Sequence, residues 1–104
     1  MIDDEIRSLI EAPPTGEHAP SLDDLEHTLT AGYASALALE AERWRLERKI
    51  AEVVAKLVDD RSDPRAEELA SLGQRLSDAH GDLSRLRELL ASLRTRADAV
   101  RAAV

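Results

Sequence analysis

Three cations near the middle of the chain, Arg43, Arg48 and Lys49, have the residue types that bind anions. Arg43 stands in an apolar repeat at a position where leucine would stabilise more. Its guanidinium is either a buried cation that clamps an anion, or a buried polar seam residue that fixes helix register while its head group reaches a nearby carboxylate. In the first case the three cations form a small anion-binding or catalytic site inside a helical bundle.

The segment 41–69 resembles an all-helical chorismate mutase in Arg43 and in the Asp63-Pro64 turn that follows a long helix. That resemblance implies a bundle enzyme that binds a dicarboxylate with arginines and a lysine. The sequence departs from the family pattern at Val54, where the family has the lysine. A chorismate-mutase-like bundle that uses the same three cations is therefore the alternative to a non-catalytic protein.

Other patterns that could support catalysis or metal binding are weak. The chain has no cysteine, which excludes a thiolate zinc site and a cysteine nucleophile. Asp24 and His27 have the i, i+3 spacing found in di-iron bundles, but no inward-facing glutamates accompany them. No glycine-rich phosphate loop or nucleophile turn occurs. We therefore expect no enzyme activity, no metal and no cofactor.

The composition favours a single helical domain. The chain has 104 residues, of which 43% are hydrophobic, 34% charged and 2% aromatic, so an all-β core is a poor fit. The net charge of −7 argues against nucleic acid as a partner, because phosphate binding needs a basic surface. No apolar run approaches the ~18 residues of a membrane helix, and the acidic start is unlike a signal peptide. These features predict a cytoplasmic protein.

Residues 1–20 are predicted to form an acidic N-terminal arm followed by a proline-rich linker. The segment 3–11 fits a short helix, and its apolar residues lie at helical spacing on one face: Ile2, Ile6, Leu9 and Ile10. The segment 12–20 contains three prolines and a glycine, which favour an extended linker.

Residues 21–104 are predicted to form an antiparallel coiled-coil hairpin with helices at about 21–58 and 64–104 and a turn at 59–63. Ser21 is the expected N-cap of the first helix, and Ser21-Leu22-Asp23-Asp24 approximates a capping box with aspartate in place of glutamate. Asp63 is the expected N-cap of the second helix, and Pro64 is its expected first residue. Gly73 and Gly81 lie within the second predicted helix but do not interrupt its apolar repeat. We therefore expect this helix to be continuous, with a break near Gly81 as the alternative.

Apolar residues alternate at spacings of three and four along both predicted helices, as in a coiled-coil seam. The first seam comprises Leu22, Leu25, Leu29, Gly32, Ala36, Leu39, Arg43, Leu46, Ile50, Val53 and Leu57. The second comprises Leu69, Leu72, Leu76, Ala79, Leu83, Leu86, Leu90, Leu93, Ala97, Val100 and Val104. Folding about the turn pairs Leu46 with Ala79, Gly32 with Leu93 and Leu22 with Val104.

Tyr33, Leu37 and Trp44 lie beside the first seam, where a two-helix hairpin cannot bury them. They form the predicted contact face, and the apolar residues of the arm are expected to dock on it or on a neighbour, in cis or in trans. The sequence thus predicts an interaction or oligomerisation module. Its partner is either a second copy, giving a four-helix dimer, or another helical protein.

Overall fold

The computed structural model describes residues 1–59 and 61–103, and within these ranges the chain forms three helices and no strand. The helices are α1 (Ile2–Glu11), α2 (Leu22–Leu57) and α3 (Asp63–Ala103). The predicted all-α class is confirmed, and the bounds at Leu22, Leu57 and Asp63 each differ from the prediction by one residue. Three predictions lie outside the described residues: Asp60 in the turn, the helix end at residue 104, and the pairing of Leu22 with Val104.

A reciprocal capping box starts α2, as the sequence predicted. The backbone N–H of Asp24 donates to Oγ of Ser21 at 3.0 Å, and the N–H of Ser21 donates to Oδ2 of Asp24 at 3.3 Å. Two N–H groups that have no partner inside the helix are satisfied in this way. The aspartate replaces the glutamate that is usual at this position.

The start of α3 lies one residue earlier than predicted. The carbonyl of Ser62 accepts from the N–H groups of Arg65 and Ala66 at 3.1 and 3.2 Å, so Asp63 is the first helical residue and not the cap. Pro64 is still tolerated, because N–H groups of the first turn have no partner inside the helix. The helix then continues through Gly73 and Gly81, so the alternative of a break near Gly81 is wrong.

The chain divides into two compact units. Unit 1 comprises Met1–Leu37 and Ser84–Val104. In it α2 and α3 run antiparallel, because Glu26 contacts Arg101 while Gly32, further along α2, lies against Leu90, earlier in α3. The apolar core of unit 1 consists of Ile6, Leu25, Leu29, Ala36, Leu86, Leu90, Leu93 and Ala97.

Unit 2, Ala38–Leu83, is a helical hairpin made of the second part of α2 and the first part of α3. Its buried apolar residues are Leu46, Val53, Leu72, Ala79 and Leu83, with Ile50, Leu69 and Leu76 packed against them. In both units, every buried apolar residue of α2 and α3 occupies a predicted seam position. The spacing of apolar residues therefore identified the buried face of both long helices.

Candidate interaction surface

Exposed apolar side chains occur along the second part of α2 and just after its last residue. We call them the Trp44 face and define it as Trp44, Ala51, Val54 and Val58. Trp44 is 58% exposed, Val54 47% and Val58 76%, and Ala51 is also exposed. Scattered exposed apolar residues are common, but a tryptophan with aliphatic neighbours along one helix is typical of a contact surface.

Helix geometry explains why the hairpin of unit 2 leaves Trp44 uncovered. Successive residues are rotated by about 100° around a helix axis, so Trp44 points about 160° away from Leu46, two residues later. Leu46 is 4% exposed and belongs to the cluster that joins α2 to α3. Ala51 follows Trp44 by seven residues, which returns it to nearly the same side of the helix. Trp44 and Ala51 are thus turned away from the hairpin core.

Arg48 lies over the ring of Trp44, with its guanidinium carbon 4.8 Å from the ring centroid. The two residues are one helical turn apart, which brings their side chains together. A cation over an aromatic ring gains about 0.5–1 kcal/mol at an exposed site and about 2 when water is excluded. The contact therefore becomes stronger if another surface covers Trp44.

The other two residues of the predicted contact face, Tyr33 and Leu37, belong to unit 1. They are 41% and 66% exposed, respectively. Helix α1 lies in the same unit, but it packs beside Gly32 and leaves Leu37 largely in solvent.

Helix α1 docks on its own chain, through Ile6. This side chain is completely buried, whereas the other apolar residues of the predicted arm face, Ile2, Leu9 and Ile10, are half-buried. Gly32 provides the space: a Cβ built at this position would collide with Leu90 and would lie 3.4 Å from Cδ1 of Ile6. The prediction placed Gly32 opposite Leu93, and the nearest side chain is instead that of Leu90, one turn earlier on α3.

Arg96 on α3 holds the C-terminal end of α1. Its guanidinium donates hydrogen bonds to the carbonyl oxygens of Ile10 and Ala12. The last turn of α1 contains no basic residue, and Ala12 leaves the helix with extended backbone angles. A helix end needs donors for its last carbonyls, and here a side chain from α3 supplies them. No signal in the sequence pointed to Arg96 in this role.

Arg43, the predicted buried polar seam residue, is half-buried, with 31% of its side chain exposed. Its Nε lies 3.9 Å from Oε1 of Glu47, one turn later on the same helix. Arg43 is only half-buried because its side chain is long: the methylene stem covers apolar surface while the charged guanidinium stays near water. None of the described residues is a fully buried polar or charged residue.

The three cations of the alternative function do not converge on one site. On a helix, residues 43, 48 and 49 point about 100–140° away from one another. Arg43 faces Glu47, Arg48 covers Trp44, and Lys49 borders an open groove between α2 and α3 in unit 2. That groove also contains carboxylates, since Glu42 pairs there with Arg45 at 3.0 Å and with Arg75 at 3.3 Å.

The ion pair between Glu26 and Arg101 joins α2 to α3 in unit 1, with 2.6 Å between Oε1 and the guanidinium nitrogen. The hydrogen bond to Glu26 is the largest cause that raises the pKa of Arg101, and the carboxylate of Asp98, 2.8 Å away, adds to it. A raised pKa keeps the guanidinium charged, and arginine is already charged far above neutral pH. Arg101 therefore keeps its charge throughout the neutral pH range.

Among residues 1–59 and 61–103, no group of three or more histidine, aspartate or glutamate side chains is placed to hold a metal ion. In the same ranges, no helix combines the length and the apolar character needed to cross a membrane.

Comparison with known proteins adds no relative: no family description, curated protein or solved structure matches the chain.

Proposed function

We propose that this protein is a non-catalytic helical oligomerisation module, in which the Trp44 face of one copy binds the Trp44 face of a second copy. The observation that carries the proposal is the exposure of Trp44, at 58%, with the exposed Val54 further along α2 and the exposed Val58 just after its last residue. Two hairpins joined in this way contribute two helices each and form a four-helix dimer. In line with the sequence analysis, the site of action we propose is the cytoplasm.

The size of Trp44 makes it the main contributor to such a contact. A tryptophan buries about 150–250 Å² when enclosed, so covering its exposed half removes about 100 Å² from water. At about 25 cal/mol per Å², this contributes about 2–3 kcal/mol for each copy. Tryptophan and arginine are also the residue types that most often dominate interface energies, and Arg48 lies directly on the ring.

Sedimentation velocity over a wide range of protein concentrations tests the proposal. We expect a reversible dimer, and we expect Trp44→Ala to weaken it by at least tenfold. Ser77→Ala, an exposed change on α3, serves as the matched control and leaves the association unchanged. The single tryptophan provides a second readout, because its emission shifts to shorter wavelength when the dimer excludes water.

Three outcomes would contradict the proposal. A chain that sediments as a monomer at every concentration refutes self-association. A dimer that Trp44→Ala leaves intact places the contact elsewhere. A stable complex with another helical protein that replaces the dimer at equal concentrations assigns the surface to that partner.

A further inference from the structure

Four apolar residues around the end of α2 have the spacing of a hole in a coiled coil. In coiled-coil packing, a side chain of one helix, the knob, enters a hole formed by four residues of the facing helix. Residues at i, i+3, i+4 and i+7 lie together on one face of a helix and can surround such a hole. The residues with this spacing, which we call the Ala55 hole, are Ala51, Val54, Ala55 and Val58.

The Ala55 hole is exposed in the single chain and has room for a large side chain. Val54 is 47% exposed, and Val58, which directly follows the last residue of α2, is 76% exposed. Ala51 and Ala55 are exposed as well. Alanine has no side-chain atom beyond Cβ, and a small residue on one helix leaves space for a large one on the facing helix. The hole therefore accepts a bulky knob.

Trp44 is a knob of suitable size, and it belongs to the same helix as the hole. Its side chain is 58% exposed. The centre of the Ala55 hole lies about ten residues further along α2, which is about 16 Å at about 1.5 Å per residue. A tryptophan side chain cannot span this distance, so Trp44 cannot fill the hole of its own helix. It can fill the hole of a second copy.

We infer that the two copies pair through α2 in antiparallel orientation, with Trp44 of each copy inserted into the Ala55 hole of the other. The inference rests on the proposed function and specifies its geometry. The two-fold axis passes midway between knob and hole, at the level of Lys49, so the same rotation produces both insertions. The whole Trp44 face is used, because its other three residues are walls of the hole.

A parallel pairing of the same faces does not match the sizes of the residues. Each residue then faces its own copy, so Trp44 meets Trp44, while Ala51 and Ala55 meet alanines. Two large side chains compete for one space, and the small residues leave a gap between the helices. In the antiparallel pairing, by contrast, each tryptophan faces alanines and valines.

Arg48 fits the antiparallel pairing because its charge lies over Trp44. Its guanidinium carbon is 4.8 Å from the ring centroid. With the axis at the level of Lys49, Arg48 of each copy comes level with Ala51 of the other, and its methylene stem packs on that alanine. Each guanidinium is drawn back toward the tryptophan of its own copy. The two cations therefore lie on opposite sides of the two-fold axis and do not face each other.

Filling the hole tests this pairing with the intact chain. Ala55→Leu places a large side chain where Trp44 of the second copy should enter, and we expect it to weaken self-association by at least tenfold in sedimentation velocity. Ala51→Leu fills the same hole from one turn earlier and should have the same effect. Alanine and leucine both favour helix, so circular dichroism should show unchanged helix content. The matched control is Ala70→Leu, at an exposed alanine of α3 in unit 2, which should change association by less than about threefold.

A mixture of two variants gives an independent readout. Trp44→Ala has an open hole and no knob, whereas Ala55→Leu has the knob and a filled hole. When they are combined, Trp44 of the Ala55→Leu chain enters the open hole, and the introduced leucine occupies the space that Trp44→Ala leaves. We therefore expect a mixed dimer that forms at least tenfold more tightly than either variant alone.

Tryptophan emission follows this mixed dimer without interference. The protein has one tryptophan, so the Trp44→Ala chain has none, and all emission comes from the Ala55→Leu chain. Adding Trp44→Ala to Ala55→Leu should shift this emission to shorter wavelength as Trp44 becomes covered. Adding the double variant Trp44→Ala/Ala55→Leu, whose hole is filled, serves as the control and should leave the emission unchanged.

The possible results separate this inference from the proposed function. If the unmodified chain is a monomer at every concentration, both are wrong. If it dimerises through Trp44 and both hole-filling variants associate as tightly as it does, self-association stands and the antiparallel pairing is wrong. If those variants weaken the dimer but Trp44→Ala does not shift the emission of Ala55→Leu, Trp44 of one copy does not meet Ala55 of the other, and the inferred register is wrong.

Discussion

Replacing glycine by alanine should raise the free energy of unfolding at Gly73 and Gly81 and lower it at Gly32. Gly73 and Gly81 lie on α3 with no atom within 4 Å of a Cβ built at either position. Alanine gains about 1 kcal/mol over glycine in a helix interior, so Gly73→Ala and Gly81→Ala should each stabilise the protein by about that amount. The sites are eight residues apart, about 12 Å along the helix, so the two effects should add.

At Gly32 the same substitution meets a side chain. The added methyl collides with Leu90, which is only 3% exposed and has little space into which to rotate. Overfilling a packed core costs about 1–3 kcal/mol, which offsets the helix gain of about 1 kcal/mol and leaves up to about 2 kcal/mol of destabilisation. Gly32→Ala should therefore lower the free energy of unfolding, and it should also loosen α1, because the new methyl lies 3.4 Å from Ile6.

Thermal and urea unfolding measure all three variants. The protein concentration is kept the same throughout, because the proposed self-association would make stability depend on concentration. For a chain of this size, 1 kcal/mol corresponds to a shift of roughly 4–8 °C in Tm. In a Leu90→Ala background the collision is removed, and Gly32→Ala should lose most of its cost. If Gly32→Ala stabilised the unmodified chain as much as Gly81→Ala does, the close approach of α2 and α3 at Gly32 would be wrong.

Two other predictions concern helix ends. Ser21→Ala removes the capping hydroxyl of α2 and should lower the free energy of unfolding in urea by about 1 kcal/mol. The control Ser77→Ala, in the interior of α3, should be neutral or slightly stabilising. Equal effects of the two substitutions would mean that the capping box contributes nothing. Arg96→Met leaves the carbonyls of Ile10 and Ala12 without their donors and should weaken the docking of α1 by about 1–3 kcal/mol. We expect faster hydrogen exchange in α1 alone. The control Arg94→Met should leave the exchange rates unchanged. Unchanged α1 protection in Arg96→Met would contradict the assigned role.

The two long helices could be predicted because one simple signal specifies them. Alternating spacings of three and four residues identify the buried side of a helix, and a charged, proline-containing break separates the two repeats. Ser21 and Asp24 added a capping signal that is local in sequence and is therefore readable without knowledge of the fold. The exposure of Trp44 followed from the same repeat, because a residue outside the seam of a two-helix hairpin has nothing to cover it.

The docking position of α1 could not be predicted in the same way. A linker of nine residues lets a short helix reach several surfaces, and the apolar face of that helix would fit any of them. The choice depends on a contact between three segments: Ile6 enters space left by the missing side chain of Gly32, beside Leu90. The sequence does indicate that the end of α1 needs a hydrogen-bond donor from elsewhere, because this helix ends without glycine or a basic residue. It does not single out Arg96 as that donor.

The docking of α1 also has a consequence for the order of folding. The hydrogen bonds from Arg96 to Ile10 and Ala12 join residues separated by 86 and 84 positions, so they close one of the longest loops that this chain allows. Contacts between distant residues form late, since the entropy of closing the loop is lost before any interaction is gained. We therefore expect the hairpin to form first and α1 to dock afterwards. During synthesis α1 leaves the ribosome long before the residues that hold it, and until α3 is complete Ile6 has no binding site.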